Sequence, residues 1–118
     1  MRRGTTPDYI LTIPGHDLRM SAVFVTLGQG ENRITLTGDR LDITYDDEGG
    51  CCTAIAFRLT QEETLGLRPG QAEIQVRWLE ADGTALCTEI GVVGVAPVLL
   101  EEVIAREDDG TEADPTEG

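Results

Sequence analysis

The chain has 118 residues, of which 40% are hydrophobic and only 4% aromatic, and it carries 22 acids against nine bases for a net charge of −13. That length suits one domain with a modest core built from Val, Ile, Leu and Ala. Such acidity, with no basic stripe interleaved with aromatics, excludes a phosphate backbone as partner.

The charge is uneven. Residues 101–118 hold eight acids and one base, net −7, which leaves net −6 for residues 1–100. Every base is Arg. No run of about 20 apolar residues is present to span a membrane, and no charged start leads into the apolar run of a secretory leader. Cys51, Cys52 and Cys87 are odd in number and lack CxxC spacing, so free thiols are expected. With His16 as the one histidine, no metal or other cofactor is expected.

Residues 8–13 read as an opening strand closed by Pro14-Gly15. In residues 18–27 one parity holds Leu18, Met20, Ala22, Phe24 and Thr26, and this set is expected to face the core at its start. Val23, Val25 and Leu27 make the opposite face apolar as well, which predicts a central strand or one with an outer contact. Residues 28–32 have hairpin composition, and residues 33–37 return with Ile34 and Leu36 inward. After a turn at residues 38–40, residues 41–45 alternate cleanly as a half-buried strand.

Residues 46–50 form an acidic loop whose carboxylates lack the spacing of a calcium loop, so a solvated turn is expected. Cys51 and Cys52 then point to opposite sides of the next strand, residues 53–59, which predicts one buried cysteine. Thr60 followed by Glu63 has the spacing of a capping box, so a single helical turn is expected before Gly66 and Pro69-Gly70, with Leu65 and Leu67 plugging one end of the core. That cap accounts for Glu63, and Glu62 is an ordinary first-turn acid, so the pair is not read as hydrolytic. In residues 71–81, Ala72, Ile74, Val76 and Trp78 form the core parity, and Asp82-Gly83 turns the chain into a partner strand over residues 84–95.

Past Pro97, Val98, Leu99, Leu100, Val103 and Ile104 fall at mixed helical spacing over one or two turns that need docking to persist. The acidic residues 105–118 are expected to be disordered. The fold class is therefore all-β: an immunoglobulin-like antiparallel β-sandwich of about seven strands with one short helical turn, spanning residues 1–104. His16 reads as a surface turn residue. No Ser-His-Asp arrangement can be defended, and no catalytic residue is assigned.

The opening Met1-Arg2-Arg3-Gly4-Thr5-Thr6-Pro7, the block Leu59-Thr60-Gln61-Glu62-Glu63-Thr64-Leu65, and the runs Ala72-Glu73-Ile74-Gln75-Val76-Arg77 and Asp82-Gly83-Thr84-Ala85-Leu86 resemble a family of small phage and prophage proteins of gut Firmicutes. The layout of strands, crossover turn and hairpin is also similar to the N-terminal immunoglobulin-like domain of phage upper baseplate proteins. These resemblances imply a non-enzymatic virion structural or assembly protein, associated with the tail or baseplate. It would be made in the host cytoplasm and carried in the virion, with itself or other phage structural proteins as partners. The candidate interface is the Arg2 and Arg3 arm together with a face formed by Val23, Val25 and Leu27. The alternative is a ligand-binding sandwich recognising a carbohydrate or protein, although neither loop 28–32 nor loop 46–50 holds an aromatic to stack on a sugar.

Overall fold

The computed structural model describes residues 1–48 and 51–105. Among the described residues eight strands form two antiparallel sheets, as the alternating patterns predict. The first sheet has the order β1 (Asp8–Pro14), β5 (Cys52–Arg58), β4 (Asp42–Asp46). The second runs β3 (Asn32–Thr37), β2 (Ala22–Gln29), β6 (Gly70–Leu79), and the far side of β6 is shared by β7 (Ala85–Cys87) and β8 (Gly91–Val95).

One apolar cluster joins the sheets: Ile13, Ile55 and Phe57 from the first meet Val25, Leu27, Leu36, Val76 and Trp78 from the second. Each fully buried Leu or Ile in it contributes roughly 1.5–3 kcal/mol by leaving water. Trp78 lies in the core at 4% exposure, where its parity with Ile74 and Val76 puts it. A second, smaller cluster of Leu67, Ala72 and Val95 closes one end.

The phase of β2 is opposite to the expectation that Leu18, Met20, Ala22, Phe24 and Thr26 face inward. Val23, Val25 and Leu27 are 4%, 0% and 0% exposed, whereas Phe24 is 39% exposed on the outer face. Leu18 is buried too, but from a loop. The Ser21 N–H donates to the Leu18 carbonyl at 3.1 Å, and this turn breaks the alternation before the strand begins. Val23, Val25 and Leu27 therefore cannot be an interaction face, because they are the centre of the core.

The predicted partner strand over residues 84–95 is two strands rather than one. β7 pairs with Arg77 to Leu79, β8 pairs with Gly70 to Ile74, and residues 88–90 separate them. Neither Cys51 nor Cys52 is fully buried. Cys51 is exposed at a positive φ of 50°, and Cys52, which opens β5, is half-buried, so the first fully buried residue of that strand is Thr53.

The helical turn α1 (Gln61–Leu65) has its capping box: the Glu63 N–H donates to Thr60 Oγ1 at 3.1 Å, and the Thr60 N–H donates to Glu63 Oε1 at 2.9 Å. Leu67 is buried behind it and Leu65 is half-buried. Residues 97–104 carry no helix. The tail expected to be disordered lies, beyond Ala105, outside the described residues.

Candidate interaction surfaces

The Arg2 and Arg3 arm is fastened to its own chain. Arg2 makes a parallel bridge to Ala96, the Arg3 N–H donates to the Ala96 carbonyl at 3.0 Å, and the Ala96 N–H donates to the Met1 carbonyl at 2.7 Å. The Arg2 guanidinium donates to the Pro97 carbonyl at 2.6 Å. That of Arg3 forks between the Leu65 carbonyl at 2.7 Å and the Glu101 carboxylate at 2.8 Å. Gly4 follows at φ +78°, close under Leu65, a conformation that L side chains rarely adopt. Both arginines are thus engaged within the molecule.

The outer face of the second sheet carries the aromatic that the sequence parity had placed inside. Phe24 on β2 stands opposite Arg77 on β6, and Ala22 stands opposite Leu79. Phe24, Arg77 and Leu79, with Thr26, Thr35 and Ala85, line an open groove of about 370 Å³. The hydroxyls of Thr26 and Thr35 are paired across β2 and β3 at 3.1 Å. Arg77 is exposed and its guanidinium has no hydrogen bond or ion pair to any described residue. The sequence parity does not reveal this site, since Phe24 reads as core whenever Leu18 is counted as the start of the strand.

The third surface is the segment after β8. Leu99, Leu100, Val103 and Ile104 are all exposed, Leu99 at 104%. The segment is nevertheless tied to the rest of the chain. The Gln61 side chain makes a two-point amide clasp on Ile104, donating to its carbonyl at 3.0 Å and accepting its N–H at 2.7 Å. With the Arg2 bond to Pro97 and the Arg3 bond to Glu101, three ties orient the stretch.

Three further polar side chains serve the fold. His16 is half-buried rather than a free surface residue, its ring 5.2 Å from that of Trp78. Thr53 Oγ1 donates to the His16 carbonyl at 2.6 Å and accepts the Leu18 N–H at 3.0 Å. Buried Gln29 accepts the Arg68 N–H at 2.5 Å and donates to the Arg68 and Gln71 carbonyls at 2.8 and 3.2 Å.

The hydrogen bond from Arg40 holds the Glu63 carboxyl below the ordinary glutamate range against the opposing effect of burial, with help from the Thr60 N–H. Arg58 and Arg19 lower Asp8 and Asp17 in the same way. Desolvation raises the Tyr45 phenol, and the neighbouring Cys51 adds to it. Among the described residues no group of three or more His, Cys, Asp or Glu is placed to hold a metal ion. No helix among them is long and apolar enough to cross a membrane.

No protein-family model matches the chain, and no curated protein does. A solved structure to which it is similar is AggA, the major subunit of aggregative adherence fimbriae type I from Escherichia coli. The identity is 10%, the match covers 82% of this chain and 89% of that one, and the TM-score is 0.38. A superposition that loose says nothing about what this chain binds.

Proposed function

We propose that this chain is a non-catalytic β-sandwich module that works through its surfaces, as a structural or assembly component of a phage tail or baseplate. The observation that carries the reading is a pair of outward apolar surfaces on a two-sheet scaffold. One is the Phe24 and Leu79 groove, and the other is the pinned segment 97–104. Apolar groups held outward by a fixed backbone suit contact with another protein. The phage setting rests on the sequence blocks around Thr60, Ile74 and Asp82-Gly83. Quantitative mass spectrometry of particles purified from the producing host tests it: the chain should be present at a fixed ratio to the major particle proteins. Its absence from the particles would overturn the reading.

A second reading, ligand recognition, is favoured by the groove itself, where exposed Phe24 lies beside the Arg77 guanidinium and two threonine hydroxyls. An aromatic face with flanking donors is a carbohydrate-compatible surface. Titrating glycans against isotope-labelled protein should move the Phe24, Thr35 and Arg77 resonances if this reading holds.

A further inference from the structure

We infer that the two apolar surfaces are the two halves of one interface: segment 97–104 of one copy docks in the Phe24, Arg77 and Leu79 groove of the next. This rests on the reading of the chain as a contact module and specifies how copies would meet.

Charge supplies the first reason. Of the described arginines only Arg68 and Arg77 have a guanidinium with no hydrogen bond or ion pair, in a chain with 22 acids. Arg77 stands in a groove floored by Phe24 and Leu79, so the complement of that groove is an apolar segment bearing a carboxylate. The chain presents such a segment: Leu99 and Leu100 are exposed, and Glu102 follows them, also exposed and without a partner among the described residues. Glu101 is already taken by Arg3, which leaves Glu102 as the carboxylate for a neighbour.

Geometry supplies the second. Val95 pairs with Gly70 at one end of β6, and the segment continues outward from there, whereas the groove surrounds Arg77 near the other end. Seven residues of strand separate those points, roughly 23 Å at the rise of an extended chain. The ties to Arg2, Arg3 and Gln61 hold the segment at its own end, so it cannot reach the groove of its own molecule. Donor and acceptor surfaces that differ and lie near opposite ends of β6 give a head-to-tail contact, which closes into a ring or extends as a filament. The net charge of −13 opposes association at low salt, but its reach falls to about 8 Å at 0.15 M, where a contact ion pair persists.

The test is light scattering of the full chain over a range of concentrations at that salt, with a thiol reductant throughout. The mass of the natural sequence should rise past a dimer. The donor variant Leu99→Asp/Leu100→Asp and the acceptor variant Arg77→Glu/Leu79→Ser should each be monomeric alone. Mixed in equal amounts they should form a dimer and nothing larger, because one intact segment then meets one intact groove. Charge reversal guards against variants that misfold: a chain with Arg77→Glu and Leu99→Asp/Leu100→Asp, left with a reversed groove and no donor segment, should bind a chain with Glu102→Arg more tightly than it binds the natural sequence. A natural chain that stays monomeric overturns the inference, as does an oligomer that persists in the donor variant or a mixture that stays monomeric. The contact-module reading survives each of those results, since it stands or falls on the presence of the chain in purified particles.

Discussion

Thr88 meets Val76 twice across the broken edge of the second sheet: its N–H donates to the Val76 carbonyl at 2.9 Å, and its hydroxyl oxygen accepts the Val76 N–H at 3.1 Å. The hydroxyl stands where a ladder carbonyl would, in the gap between β7 and β8. The Gln75 side chain donates to the Thr88 carbonyl at 2.8 Å, so the interruption leaves these backbone groups satisfied.

Replacing Thr88 with Val keeps the shape and removes the acceptor, leaving the N–H of buried Val76 without a partner. The expected cost is about 1–3 kcal/mol. Thr88→Ser retains the oxygen and should lose clearly less. Urea unfolding of both variants checks this, and equal losses would mean the hydroxyl has no ladder role.

The orientation of β2 gives a second contrast. Leu27→Ala empties a fully buried site and should cost about 2–5 kcal/mol, whereas Phe24→Ser on the outer face should cost about 1 kcal/mol or less. The reverse order in denaturant midpoints would restore Phe24 to the core.

This strand shows where local sequence stops being informative. Residues 22–27 are legible as a strand, but both of their faces are apolar, so nothing within them chooses the inner one. The choice is made by the turn at Leu18 to Ser21 and by the bond from the Leu18 N–H to Thr53, 35 residues away. In β6, by contrast, Glu73, Gln75 and Arg77 mark the outer face at once, and the Thr60 and Glu63 spacing announces its cap. The interaction surfaces were the least legible. Segment 97–104 owes its outward leucines to Arg2, Arg3 and Gln61, none of them near it in sequence, and the β7 to β8 break is made by a threonine side chain rather than by Gly or Pro.

The cap of α1 carries a pH dependence whose direction is fixed. Arg40 holds the Glu63 carboxyl below its ordinary range, opposed by burial and aided by the Thr60 N–H, so the folded chain releases this proton more readily than the unfolded chain. The stabilisation from Glu63 is complete above the ordinary glutamate range and is lost as pH falls through the lowered folded value. Glu63→Gln should therefore flatten the acid limb of stability against pH. Thr60→Ala removes the reciprocal bond and should cost about 1 kcal/mol at neutral pH. Thermal unfolding from pH 7 to pH 3 compares them, and an unchanged acid limb in Glu63→Gln would show that other carboxylates set it.

Arg3 links three parts of the molecule that are distant in sequence, and its side chain is only 12% exposed. Its fork reaches the Leu65 carbonyl at the end of α1, where a cation is favoured, and the Glu101 carboxylate in the presented segment. Lysine cannot reproduce that fork, because an ammonium is a point charge on a flexible stem. Arg3→Lys should thus lose part of the stability and Arg3→Ala about 1–3 kcal/mol, since the Leu65 carbonyl then lacks its donor. Releasing Glu101 should also loosen the clasp three residues further on, where the Ile104 N–H donates to Gln61. Hydrogen exchange at the Ile104 amide reads this directly. It should quicken in Arg3→Ala and reach the rate of Gln61→Ala, in which the acceptor itself is gone. An Ile104 amide as protected in Arg3→Ala as in the natural chain would show that Gln61 holds the segment without help from the arm.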